Sequence, residues 1–299
     1  MKYNVLGKTG FKVSAVAYGG VVSSKHFDKA VMPGDGQAHS NDFVAWAIDR
    51  GINYFDVAPT YGDAQLKLGN SLIPYRDKIT LACKTKARTK DEALALFEES
   101  RKLLHTDYFD VYQMHEITTM EDVDIAFGPG GVMELMPELK AKGLVKNLGI
   151  TAHNEDAALR AIDLFDFDTV LFPFNWMMHM GHGMGSRLIV KAREKGMGVL
   201  CMKSFIERAW DGENDPAHAR YPKSWCKPID PEEEAFGLAA MRYALSLGVD
   251  TLIPPGNFES FSFMVNHIEE ALAKPYGEAD EALLREKLVL HAGKEFFEV

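Results

Sequence analysis

Cysteine is scarce in this chain. Cys83, Cys201 and Cys226 stand far apart and form no CxxC pair, which argues against a disulfide framework, a zinc ribbon or an iron–sulfur cluster. There is no basic run, and the net charge is −10, so no nucleic-acid partner is expected. No apolar stretch approaches the length of a membrane span, and Met1-Lys2-Tyr3-Asn4 does not open a signal peptide, so a soluble cytoplasmic protein without a membrane partner is expected. No GxGxxG follows the first predicted strand, which weighs against an open dinucleotide-binding sheet. Short repeats and shifts of composition are missing too, so residues 1–299 read as one domain.

What is present is an alternation. The 299 residues are 46% hydrophobic, enough for a large core. Residues 2–14 read as a hairpin turning near Gly10, and 14–20 as a first buried strand ending in glycines. Predicted strands then cover 52–57, 78–84, 108–114, 145–151, 169–173, 198–203 and 251–254. Helices are predicted between them over 42–50, 64–72, 90–104, 132–142, 155–164, 186–195, 231–247 and 260–272, with one more at 280–291. Several strands are apolar on both faces, as in a parallel sheet covered on both sides. Eight such units in this length predict an α/β fold, a (β/α)8 TIM barrel with an N-terminal β-hairpin and an extra C-terminal helix.

Strand ends of such a barrel converge on one mouth. The stretch Gly51–Gly62 reads as a strand that ends on Asp56 and breaks at Pro59 into a turn carrying Tyr61. The next two strands end on Lys84 and His115. An inward lysine needs a counter-charge, which Asp56 supplies. A cation beside Tyr61 is expected to lower the phenol's pKa, so that it gives a proton to a carbonyl oxygen near neutral pH and takes it back in reverse. His115 would hold that oxygen. No side chain provides a hydride, so a cofactor is implied. Each residue alone has a structural reading, as an ion pair, a rim aromatic or a core histidine. Their joint spacing favours catalysis.

The motifs Gly51–Gly62, Leu81-Ala82-Cys83-Lys84, Asp110–His115, Lys142–Thr151 and Thr251–Gly256 give the chain a resemblance to the aldo-keto reductase superfamily over essentially its whole length. The resemblance implies an NAD(P)(H)-dependent oxidoreductase that interconverts aldehydes or ketones, sugars among them, with alcohols. Its catalytic tetrad would be Asp56, Tyr61, Lys84 and His115, with Tyr61 as general acid/base. A barrel that keeps the cofactor but turns over little is the alternative. A hydrolase or lyase lacks a nucleophile–base set or metal ligands at the strand ends.

The family's cofactor contacts transfer unevenly. Thr151 replaces a serine, Ala152 stands where asparagine is usual, and Leu171 occupies the glutamine position. Gly20, Thr151, Asn175, Met202, Lys203, Gly256, Glu259 and Asn266 are the resulting candidates for holding the cofactor. Residues 256–266 hold no Lys or Arg for a 2′-phosphate, and Glu259 would repel one while suiting a ribose 2′-hydroxyl. NAD(H) is therefore favoured, with NADP(H) open. Residues 204–230 are expected to fold over the cofactor or the mouth; Arg208 there reads as an exposed arginine or a phosphate contact. Trp176 and Trp210, with Trp225, are the candidate walls of the substrate pocket. The HxxH spacing of His179 and His182 among methionines reads as a pliable pocket loop, and no metal site is assigned. His26 and His39 could be pocket or surface.

Overall fold

Strands ended by glycine or proline turns and refilled by amphipathic helices build one closed barrel. The computed structural model describes residues 1–24, 36–212 and 215–297; His26 and part of the loop expected to follow the first strand lie outside them. An antiparallel hairpin comes first, β1 (Tyr3–Val5) with β2 (Lys12–Ser14). The barrel strands are β3 (Tyr18–Gly19), β4 (Tyr54–Asp56), β5 (Thr80–Thr85), β6 (Phe109–Ile117), β7 (Val145–Ala152), β8 (Thr169–Phe172) and β9 (Gly198–Cys201). After a small ladder of β10 (Ile206–Arg208) with β11 (Lys227–Pro228), β12 (Thr251–Leu252) completes the sheet. All eight barrel strands pair in parallel, in chain order. A parallel bridge between Val16 and Leu252 joins the two ends, with Ala17 N donating to Leu252 O at 2.9 Å.

The helices are α1 (Gln37–Asp49), α2 (Ala64–Leu72), α3 (Lys90–Leu103), α4 (Met120–Phe127), α5 (Val132–Ala141), α6 (Glu155–Leu164), α7 (Ser186–Glu194), the short α8 (Asp215–His218), α9 (Glu234–Ser246), α10 (Phe258–Ala273) and α11 (Glu278–Leu290). Besides β10, β11 and α8 in the segment expected to be irregular, two elements differ from the expectation. The segment after His115, read as loop, contains α4, started by a capping box in which Thr119 Oγ1 accepts from Asp122 N and Asp122 accepts from Thr119 N. The methionine-rich loop is wound at Trp176–Met180 into a π-helical turn, capped by Asn175 Oδ1 accepting from Met178 N at 2.9 Å.

Side chains alternate across a strand, so each barrel strand has a helix-facing set and a lumen-facing set. Tyr54, Ala82, Val111, Leu171 and Leu200 fill the lumen, and Leu6 and Val13 of the hairpin join them to close its lower end. Two residues further along the same lumen faces stand Asp56, Lys84 and Gln113, and His115 follows Gln113 by two more. A floor of apolar side chains thus carries a polar layer at the open mouth.

Helix α2, which leaves the Tyr61 turn, packs on the end of α3 so closely that a Cβ at Gly69 would overlap the Leu103 carbonyl oxygen. Alanine normally favours a helix over glycine by about 1 kcal/mol, but overlap with backbone cannot be relieved by a rotamer. Gly69→Ala should therefore lower stability by about 1–3 kcal/mol in urea unfolding; an unchanged or raised midpoint would refute this packing.

Candidate active site

The polar layer begins with a buried ion pair. Lys84 is 0% and Asp56 1% exposed, and the Lys84 ammonium bonds Asp56 Oδ1. The other carboxylate oxygen accepts from Gln113 Nε2 at 3.0 Å. Parallel register sets Asp56 opposite Ala82 and Lys84 opposite Gln113, so the three side chains meet as one step across β4, β5 and β6. Burial disfavours the ammonium, but Asp56 and then Tyr61 outweigh it and raise the Lys84 pKa. The lysine is therefore a fixed cation.

Tyr61 stands over this cation, its ring centroid 5.1 Å from Lys84 Nζ. The turn after β4 holds it through Tyr61 N donating to Ala58 O at 3.1 Å. Its ring meets His115 edge-on at 6.1 Å and Trp225 at 5.2 Å. Burial pushes the phenol above its ordinary value, with Lys84 opposing. The expectation that the lysine brings the phenol below its usual pKa is thus reversed, because withdrawal from water is the larger effect.

His115 is buried, and burial followed by the nearby Lys84 charge holds its pKa well below the ordinary histidine value. Its Nδ1 has no hydrogen-bond partner, and its Nε2 lies 3.7 Å from Glu116. The ring is therefore neutral and carries one N–H to offer. Glu116 also approaches His153 Nδ1 at 3.5 Å and accepts from Lys86 at 2.9 Å. Burial lowers His153 to about 2.

These groups face a cavity of about 400 Å³ at the mouth, a size suited to a small ligand. Thr151, Met202, Lys203 and Gly256 line it as well, and Gly20 lies beside the lining Gly19. Thr151 is fully buried, and its hydroxyl has no partner. Gly256 leaves no room for a side chain, since a Cβ would strike the Lys223 carbonyl and Val21.

Other candidates stand elsewhere. Asn175 does not line the cavity; its amide caps the π turn and donates to Lys203 O at 3.0 Å. Trp176 is core, donating to Ile206 O at 3.0 Å and packed edge-on against Phe236. Trp210 donates to Ser224 O at 3.0 Å and is not part of the lining either. The tryptophan wall is Trp225. Glu259 and Asn266 are exposed on α10, and Arg208 bonds Asp211 at 2.8 Å. The HxxH rings part: His179 meets the Tyr243 hydroxyl at 2.6 Å and His182 meets Glu295 at 3.3 Å. His39 is exposed on α1, beside Phe43.

The sequence reading missed several residues in and beneath the site. Gln113 shares the face of His115 by period-2 spacing, a signal that was available. Ser224 and Cys226, on either side of the expected Trp225, and Phe296–Phe297 come from distant segments with no local signal. Residues 221–225 cross the mouth, fastened by Lys223 N donating to Asn257 Oδ1 and Lys223 Nζ to Val22 O.

Comparison with known proteins shows the family and the fold. The model of the Aldo/keto reductase family matches residues 35–224, more than half of the chain. The chain is 27% identical over 165 residues to aldo-keto reductase YhdN of Bacillus subtilis, covering 50% of this chain and 47% of that relative, so it spans about half of it. It is 27% identical over 272 residues to L-galactose dehydrogenase of Arabidopsis thaliana, covering 83% and 76%. The holo form of an aldo-keto reductase from Bacillus halodurans shares the fold, with a TM-score of 0.71 at 18% identity and 96% of each chain covered. The chain belongs to the aldo/keto reductase family, a family of oxidoreductase enzymes.

Proposed function

We propose that this protein reduces aldehyde and ketone carbonyls, and oxidises the matching alcohols, with a nicotinamide cofactor and with Tyr61 as general acid/base. The observation that carries this is the phenol of Tyr61 set over the buried Lys84–Asp56 pair and facing His115 at one mouth. The Arabidopsis relative is an L-galactose dehydrogenase, which supports sugars within the substrate range. Three free thiols fit a reducing compartment, and the cytoplasm is the proposed setting.

The residues present fit such a cofactor. The orphaned Thr151 hydroxyl offers a hydrogen bond to a carboxamide, Met202 an apolar face, and Gly256 backbone that a flat or charged group can approach. Bound, the cofactor supplies the hydride that no side chain can provide. The neutral His115 and the protonated Tyr61 both donate to the carbonyl oxygen. Tyr61 then releases its proton to that oxygen as negative charge builds there. The phenolate left behind lies beside the Lys84 ammonium, which Asp56, itself held by Gln113, keeps charged. In the alcohol direction the phenolate recovers the proton. Leu171, on the cavity wall at a position where the family has an amide, favours a second reading, a barrel that binds cofactor without turnover. Cofactor binding with no oxidation of NADH or NADPH across a panel of carbonyls and sugars would select it.

Tyr61→Phe should lower kcat by roughly 10²–10⁴-fold and leave cofactor affinity in place. In the wild type, the rate of carbonyl reduction should be level through neutral pH and fall only above about 10, because the raised phenol stays protonated; alcohol oxidation should rise over the same range. A break near pH 6.5 that disappears in His115→Gln would contradict the neutral-histidine assignment. Thr151→Val removes an unbonded buried hydroxyl. It should hold or raise the melting temperature while weakening cofactor binding by about 2–10-fold; a drop in stability with unchanged binding would show the hydroxyl to be structural. NADH is expected to bind more tightly than NADPH, and Glu259→Arg should narrow the difference by about tenfold. Titration calorimetry decides this, and an unaltered ratio would dismiss Glu259 as the discriminator.

A further inference from the structure

Among the described residues, five charged side chains face the cavity: Asp56, Lys84, Lys86, Glu116 and Lys203. Asp56 is bonded to Lys84, and Glu116 to Lys86. Both histidines of the wall are neutral. Lys203 is the remainder. Among the described residues no carboxylate lies within ion-pairing distance of its ammonium, which is 3.8 Å from Met202 Sδ and 4.9 Å from the Phe297 ring centroid. The cavity thus holds one surplus positive charge in a chain whose net charge is −10.

The backbone fixes where this charge sits. Lys203 has φ 61°, a left-handed conformation uncommon for a lysine, and Asn175 Nδ2 donates to its carbonyl at 3.0 Å. A continuous set of contacts leads from it to the reacting end of the cavity. Lys203 stands over Phe297, Phe297 lies against His153 at 4.4 Å, and Glu116 joins His153 to His115. Burial pushes the ammonium below its ordinary value, an imbalance that an incoming anion would relieve.

Resting on the reading of Tyr61 as the proton donor, we infer that Lys203 is the recognition group for a carboxylate on the carbonyl substrate, so that the preferred substrates are aldehydo, keto or sugar acids. An ammonium–carboxylate bond in a half-buried site contributes about 1.5–3 kcal/mol, roughly 10–100-fold in selectivity. Lys203 thereby becomes a specificity residue, and Asn175 the residue that positions it. The competing source of negative charge is the cofactor's diphosphate, since Lys203 is expected from sequence among the cofactor contacts.

The test compares 4-carboxybenzaldehyde with methyl 4-formylbenzoate in the wild type and in Lys203→Met, at saturating NADH or NADPH. The expected result is a preference of about tenfold or more in kcat/KM for the acid, expressed in KM and brought close to one by Lys203→Met, with the cofactor's calorimetric Kd unchanged. A wild-type ratio near one would overturn the inference. So would a ratio that survives the substitution, or a Lys203→Met variant that loses cofactor affinity and keeps its preference. Calorimetry of benzoate against benzamide, in the presence of cofactor, needs no turnover. Tighter binding of benzoate, lost in Lys203→Met and kept in Tyr61→Phe, supports the anion site even if neither aldehyde reacts, a result that would count only against the role of Tyr61. Equal binding of the two overturns the site itself. A thermal melt of Lys203→Met checks folding.

Discussion

The buried contact between Lys84 and Asp56 is the constraint on which the rest of the mouth depends. Removing two charges from water costs several kcal/mol per ion, and their attraction repays this only with good geometry and further hydrogen bonds. Both conditions are met by neighbouring parallel strands. Asp56 and Lys84 sit at adjacent strand ends, and Gln113, one strand further, occupies the second carboxylate oxygen. Once the lysine is a permanent cation, Tyr61 above it and His115 beside it inherit their states. The phenol has a stabilised conjugate base within reach, and the imidazole is kept neutral by burial and by the same positive charge.

That polar layer stands on apolar ground. Tyr54, Ala82, Val111 and Leu200 pack in the lumen directly below it, and the N-terminal hairpin closes the bottom with Leu6 and Val13. Alternation along each strand does the sorting: one face goes to the helices, and the other goes first to the apolar floor and then to the site. The separation of stability from chemistry in this barrel is thus a matter of position along a strand.

How much of this was legible follows from what each signal depends on. The strands and most helices were readable because their apolar periodicity is local. Helix α4 was passed over although Thr119 and Asp122 announce its start, since it is short and borders a glycine-rich stretch. Asp56, Tyr61, Lys84 and His115 were readable because strand order alone brings their strand ends together. Trp176 and Trp225 show the limit. Both are tryptophans in loops after barrel strands, and nothing local tells that one turns into the core while the other crosses to Tyr61. Lys203 is visible as a residue, but its surplus charge depends on Asp56 and Glu116 being bonded to Lys84 and Lys86 in the folded mouth. The direction of the Tyr61 shift was misjudged for a related reason. A charge pair can be guessed from sequence, whereas the depth of burial that outweighs it belongs to the assembled mouth.

Trp225 has a consequence of a different kind. Of the chain's four tryptophans, Trp46 packs on Phe258 and Phe261, Trp176 is core, and Trp210 is bonded to Ser224 O. Only Trp225 borders the cavity, 54% exposed and in contact with the ring of Tyr61. Its indole therefore differs from the other three in both solvation and neighbours, and it emits at the mouth where ligands enter. A ligand that changes the solvation of Trp225 is therefore expected to shift its emission, with no label attached.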